Sequence, residues 1–582
     1  MPFRNWPGQN ETGAACLSDL TYERPDLKIL LEQLRRARLR LRLAMRAEAA
    51  RRAVDELTIV WSNYRHQQML AELNFEHNAT DPFWQGEVAF FAVADPQALL
   101  SLQEVIAALK ACRFLEELEA HLPENWLEMA EQLAARVSER IVPDAVAENQ
   151  TVNAFKAWTA QAGFFCLGQR WSMFSLPALL ESPQRPIRRA AWLGFDIFFK
   201  DHQAEADRLL NQVINTRLQI VRKLHQPTPY ARAFHQQGIG WVSDDDINRF
   251  NNLIRKYIVP MAAESIRLQR RRLGLETLQV YDVLCLMPEG HPVSSVGREA
   301  LFNACAHALQ DASAVAAAAI RPNDAARFMP GIEWFDLADC AGADLVLRPN
   351  MWASDRMAVL FNQTHPYWRL VQHGTMADIG RCFRVLGQSA VTLTPRLAVE
   401  PFQDQAQMAL AGYLAELLTF NHLDAMIQDK PYYALLRITQ LVRRLVWNSL
   451  CHDYASQVYA EGATDPASRE LIWQQLMSIY LPEIEQDQAP HLGYGSAMGL
   501  AAPEIVWPGQ SLADSFGLVS ALLAWFRGTG SQPQAQQAWL ALLAPDRPAR
   551  YFQFLERQNL PNPWDEVLFR QLAYHVSAFL AL

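Results

Sequence analysis

Apolar residues recur every three or four positions along most of this chain, and no other feature restricts its fold so strongly. In PQALLSLQEVIAALKACRFLEEL, NWLEMAEQLAARVSERI and DDDINRFNNLIRKYIVPMAAESIRLQRRRLG that spacing gathers one apolar stripe on one side of a helix. Such a stripe must be buried against another element, so helix packed on helix is expected throughout. Ser243, followed by Asp244, Asp245 and Asp246 before Ile247, marks a helix start, because hydroxyl and carboxylate oxygens satisfy the free N–H groups of a first turn. The expected class is all-α.

One region breaks the pattern. Between about 330 and 362, GIEWFDLADCAG, ADLVLRPN and MAVLFN are short, apolar or β-branched, and separated by turn residues, which predicts a small sheet. From MAVLFN the chain runs through QTHPYW into LVQHGTMADIGRCFRVL, read as a helix over about 368–386. After the loop LGQSAVTLTPRLAVEPFQDQ comes a second helix, QAQMALAGYLAELLTFNHL. A helix entered from a sheet edge suits a metal or peptide site, since an edge strand can pair with an extended substrate.

The chain has 582 residues, half of them hydrophobic, which calls for a very large core or two packed lobes. The division expected is an N-terminal helical lobe over 1–185 and a second helical domain over 186–582. There is no internal repeat and no low-complexity segment. The longest apolar runs, ASAVAAAAI and LVSALLAWF, are too short to span a bilayer, and the mean hydropathy is -0.10. MPFRNWPGQNETGAACL has no apolar stretch after a basic start, so the protein is expected in the cytoplasm, with no membrane partner.

A net charge of -9 leaves no global electrostatic footprint for nucleic acid. The one basic segment, RRARLRLRLAMRAEAARR at 35–52, lies among Glu32, Glu48 and Glu56 and reads as a solvated helix face. Eight cysteines without any CxxC read as free, buried thiols. The Trp residues of GIEWF, HPYWRL and IVWPGQ read as core packing before they read as the lining of a peptide channel. HNATDPF, AFHQQG and CHDY set His beside acid or thiol but supply no third positioned group for nucleophilic catalysis.

Several segments together resemble a known family. DRLLNQVINTR with Asp207 and Arg217, RLGLETLQVYD from Arg272 to Asp282, TDPFW with Glu87, and PASRELIWQQL with IYLPEI are similar, in the same order, to segments of the oligoendopeptidase F branch of the thimet-oligopeptidase-like zinc metallopeptidases. The resemblance implies an almost wholly helical, prolate, two-lobed zincin-like body, split by a deep central channel with zinc on its floor. It also implies cleavage of short peptides.

The implied chemistry needs HExxH on a helix. Two His at i and i+4 lie on one face and bind zinc, and the Glu activates the zinc-bound water. A Glu from a second helix completes the protein ligands. In this family an Asn precedes the first His by eleven positions, the separation of Asn362 and His373 (373 minus 362). In that register HExxH becomes His373-Gly374-Thr375-Met376-Ala377: one ligand is kept, the base is Gly374 and the second ligand is Ala377. In the second helix the ligand Glu stands seven positions before another Glu, and placing Glu416 as the latter leaves Ala409 in the ligand place (416 minus 409).

The oxyanion donors of the family, a His and paired Tyr before an Asp, fall in LAAPEIVWPGQSLADSFGLVSALL. With Asp514 at the Asp, Ser511, Leu512 and Ser515 stand where Tyr is expected and Glu504 where His is. For a rearranged metal site the candidates are His365, His373, Asp378, Glu400, Asp404 and Glu416. Asp378, five positions past His373, would point away from it on a common helix.

The first expectation is therefore a catalytically inactive oligoendopeptidase-like protein, binding no zinc, that takes a peptide or protein partner in its channel. Asn362, His365, Asp378, Glu416, Glu504 and Asp514 are its candidate channel residues. One alternative is a zinc endopeptidase with a non-standard site. Another is an enzyme of different chemistry in the emptied cavity, with Asp378, Glu416 and Asp514 converging on it.

Overall fold

The computed structural model describes residues 20–120, 122, 126–226, 228–236, 239–296, 298–313, 332–336, 351, 356–359, 366–393, 404–485, 497–527, 533–544, 547–548 and 550–582. Helices dominate these residues, as the apolar periodicity predicts. None of them is long and apolar enough to cross a membrane.

Two apolar cores organise the molecule. The first is built by α1 (Leu27–Leu43), α2 (Ala47–His77) and α3 (Pro82–Lys110), which bury Leu34, Leu57, Trp61, Phe91 and Leu102 among others. The basic segment spans the end of α1 and the start of α2, where Arg36 pairs with Glu32, Arg52 with Glu48 and Arg40 with Glu56 at the surface. It is the solvated face expected, divided between two helices. α4 (Val142–Gln161) belongs to both cores, with Ala160 in the first and Phe155 in the second. The second core takes in most of the remaining helices.

The segments that carry the family resemblance are held by buried charge. Arg217 of α5 (Gln203–Leu224) donates to Glu148 of α4 at 2.7 Å, to the Tyr459 hydroxyl at 2.8 Å and to the Val506 carbonyl at 2.7 Å. Asp207 pairs with Arg469 of PASRELIWQQL, and Glu87 of α3 with Arg24. Asp282, at the end of RLGLETLQVYD, receives Arg188 at 2.7 Å and Arg185 at 2.9 Å. Where both partners are buried, as in Asp207–Arg469, removing one strands a charge in the interior, which costs about 3–5 kcal/mol. The Ser243 cap of α6 (Asp244–Leu253) forms as predicted: its hydroxyl accepts the Asp246 N–H, and the Asp246 carboxylate accepts the Ser243 N–H.

Two small sheets interrupt the helices. β1 (Gly163–Cys166) and β2 (Gln169–Ser172) form an antiparallel hairpin. The second sheet has the order β3 (Ile332–Asp336), β5 (Pro366–Gln372), β4 (Arg356–Val359), with β5 parallel to β3 and antiparallel to β4. Two of its strands lie in the expected 330–362 region, and the third corrects the reading of the next segment. Residues 368–372 are strand, and the helix, α7, runs Ala377–Leu393 instead of about 368–386. Pro366 and the aromatic and β-branched residues of YWRLVQ favour extended backbone, and Gly374, with φ +67°, breaks the chain before a helix can form. α7 then packs on α8 (Gln405–Leu418), and α8 on α10 (Gln510–Phe526) and near the 32-residue α9 (Lys430–Glu461). Six cysteines among the described residues are free and buried, as expected.

Candidate functional site

His373 lies between β5 and α7, not on a helix. Its N–H and that of Thr375 donate to the carboxylate of Asp378, at 3.2 and 3.0 Å, so Asp378 ties the end of the strand to the first turn of α7. Asp378 thus reaches the main chain of His373, a contact that one continuous helix would not give. Arg381, one turn on, pairs with the same carboxylate. Gly374 occupies the left-handed region, where a Glu would be strained by about 1–2 kcal/mol. The residues read as HExxH thus form a turn with only Ala377 in the helix.

Metal ligands on a helix stand at i and i+4. The first such pairs on α7 are Ala377 with Arg381 and Asp378 with Cys382. The first pair offers no metal donor. In the second, Asp378 is engaged by two N–H groups and a guanidinium, and Cys382 is buried against Cys305. His373 is held neutral by burial and by the charge of Arg381, which push its pKa down to about 3. Its Nδ1 is buried without a hydrogen-bond partner among the described residues. Asn362, His365 and Glu400 lie outside the described residues.

The second-helix positions are committed to structure. Ala409 is buried on the side of α8 that meets α10, where its Cβ would lie 2.5 Å from any Cβ at Gly517. Glu416 is fully buried between Arg437 of α9 and Arg384 of α7, whose Nη1 lies 3.1 Å from Oε2. Burial alone would raise the Glu416 pKa, but the two guanidiniums hold it below the usual carboxylate range. Gly380 makes this arrangement possible: a Cβ there would collide with Glu416 and come within 2.8 Å of Arg437 Nη2.

Asp514 accepts from the Tyr413 hydroxyl at 2.9 Å, from Arg444 at 2.8 Å and from Asn448 at 2.9 Å. Burial raises its pKa too, yet Arg444 brings it below the ordinary value. Arg384 stacks over the Tyr413 ring at 5.4 Å, so Glu416 and Asp514 belong to one network, while Asp378 is held apart by Arg381. The convergence of three carboxylates expected from the sequence is therefore partial. Ser515 takes part through Asn448, which donates to its hydroxyl at 3.1 Å, and Leu512 is buried.

Glu504 and Asp404 cap helices. Glu504 accepts the N–H groups of Gly509 and Ser511 at the start of α10, at 2.8 and 3.2 Å. Asp404 accepts those of Ala406 and Gln407 at the start of α8, and that of Tyr551. Burial lifts both carboxyls to about 7.

Sequence reasoning missed Arg381, Arg384, Arg437 and Arg444. These four guanidiniums face three carboxylates, Asp378, Glu416 and Asp514. A divalent cation would enter an environment already in positive excess. The donors among the described residues do not fit a zinc site, and no catalytic step can be derived through one.

Comparison with solved structures gives the architecture its place. Over 98% of its length the chain superposes on a structure described as an oligoendopeptidase F, covering 99% of that chain with a TM-score of 0.89 at 19% identity. PZ peptidase A with an inhibitor matches over 97% of this chain and 99% of that one, with a TM-score of 0.88 at 18% identity. An oligoendopeptidase F from Bacillus anthracis matches over 97% and 98%, with a TM-score of 0.84 at 18% identity. In sequence, residues 17–134 match the peptidase M3 N-terminal domain. The chain has the oligoendopeptidase fold, and its residues 17–134 resemble the M3 peptidase N-terminal domain. No curated protein matches the chain. The oligoendopeptidase fold agrees with the helical reading, and the M3 N-terminal domain coincides with the first apolar core.

Proposed function

We propose that this chain is an oligoendopeptidase-fold protein without zinc chemistry, which binds a peptide or a peptide segment of a protein partner. One observation carries the reading. The acids near the strand-to-helix turn are each neutralised by arginine, and the positions that would supply further ligands are Ala377 and Ala409. Peptide binding does not depend on a metal. Among the described residues β3 and β4 are the outer strands of the second sheet, and an outer strand can accept an extended chain by main-chain hydrogen bonding. A cytoplasmic location, without nucleic acid or membrane as partner, belongs to the same reading.

The test uses full-length protein purified without chelator or metal-affinity tag. Elemental analysis is expected to give background zinc, and a library of short peptides is expected to yield binders that are not cleaved. About one zinc per chain, with cleavage lost on chelation, would overturn the reading. That result would favour a zinc endopeptidase with a non-standard site, for which the buried Nδ1 of His373, without a partner among the described residues, is the supporting observation. Turnover of a non-peptide substrate in metal-free protein would point to different chemistry in the cavity.

A further inference from the structure

Arg443 of α9 is a buried guanidinium without a carboxylate. It is 8% exposed and makes no ion pair among the described residues. Its Nε donates to Ser265 Oγ at 3.0 Å, and its Nη1 to Gln269 Oε1 at 2.6 Å and the Val283 carbonyl at 3.1 Å. Nη2, with two further N–H donors, is buried without a partner among the described residues. Gln269 cannot turn away, because its Nε2 is fixed at 2.7 Å by the carbonyls of both Asp282 and Cys285. Asp282, the nearest acid on that segment, is taken by Arg185 and Arg188.

Arg443 lines a cavity of about 20 Å³, open on one side, with room for roughly one or two water-sized groups. Ser265, Gln269 and Thr439 supply its polar wall, and leucines, Leu436 among them, the rest. Arg272, exposed, stands on the same cavity and adds a second positive charge. Burial and Arg272 both press Arg443 toward its neutral form, to about 9, but at neutral pH it keeps its proton. A buried charge needs a counter-charge, and no carboxylate side chain among the described residues pairs with Arg443.

We propose that this cavity binds a small monovalent anion, a halide or the carboxylate group of a short aliphatic acid, on Arg443 Nη2 with Arg272 drawing it in. The site lies on α9 away from the Glu416 and Asp514 pairs and does not depend on the peptide-binding reading.

The test needs no activity. Crystals of the full chain grown in sodium bromide are expected to show an anomalous peak in contact with Arg443 Nη2. In solution, sodium chloride is expected to show saturable excess NMR line broadening with wild-type protein. The Arg443→Gln variant abolishes it, and Arg272→Gln, at an exposed position, weakens it about two- to five-fold. Displacement by sodium formate assigns carboxylates to the site, and chloride held against formate assigns halides; either supports the shared anion chemistry. Bromide only at other surface arginines, an adventitious ion only, with unbroadened chloride in the wild type, would overturn the proposal. Should Arg443→Gln not fold, the bromide crystal and Arg272→Gln decide.

Discussion

Gly380 faces Glu416 across the contact of α7 and α8 with no space for a Cβ between them. The missing side chain lets Arg437 close on the carboxylate from α9, and the three helices meet around Glu416 and its two arginines. Gly380→Ala is therefore expected to destabilise the protein by about 1–3 kcal/mol through overpacking. A urea midpoint unchanged from wild type would show that the helices can separate without loss.

Arg437→Met leaves Glu416 with Arg384 alone in a sealed site, and a loss of about 3 kcal/mol or more is expected. Since the folded pKa of Glu416 lies below 4.5, its contribution is fully present above that value and is lost as pH falls through the folded pKa. Glu416→Gln should flatten the acid limb of stability below pH 4.5, measured by urea unfolding across that range.

Glu504 has the opposite sign. Its pKa rises from 4.5 to about 7 on folding, so the native state holds a proton that the unfolded chain releases, and stability declines as pH rises through that window. The shift corresponds to roughly 3 kcal/mol. Glu504→Gln is expected to lose its share of the decline, leaving that of Asp404, while its side-chain oxygen still accepts the Gly509 N–H. Equal slopes for variant and wild type between pH 5 and 8 would refute this.

Writing the zinc residues back should not restore zinc. The Gly374→Glu, Ala377→His, Ala409→Glu triple variant places its new groups on a left-handed turn, at a helix start and in the tight contact with Gly517. We expect background zinc by elemental analysis and reduced stability, chiefly from the buried carboxylate at 409. One zinc per chain would mean that the turn can rewind into α7.

The helical architecture was legible because its signal is local: spacing shows an apolar stripe, and Ser243 with Asp246 shows a cap. The segments resembling the oligopeptidases were legible as well, and they prove to be where buried charge ties the fold, as at Asp207, Arg217 and Asp282. The start of α7 was misread because LVQHGTMADIG carries apolar residues at a spacing that suits strand or helix. Gly374 and the Asp378 carboxylate decide between them only once the turn is formed. The network around Glu416 was hidden for a different reason. Its arginines lie 21 and 32 residues away, on other helices, and nothing local in sequence joins them.

α9 is 32 residues long, a rod of about 48 Å. On it stand Arg437, which holds Glu416, Arg443, which faces the anion cavity, Arg444 and Asn448, which hold Asp514, and Tyr459, which reaches Arg217. Adjacent residues on such a rod point about 100° apart, so any twist that moved Arg443 would swing Arg444 by the same angle. α9 is in this respect a camshaft: its contacts are timed by one rotation, and none can be reset without disturbing the others.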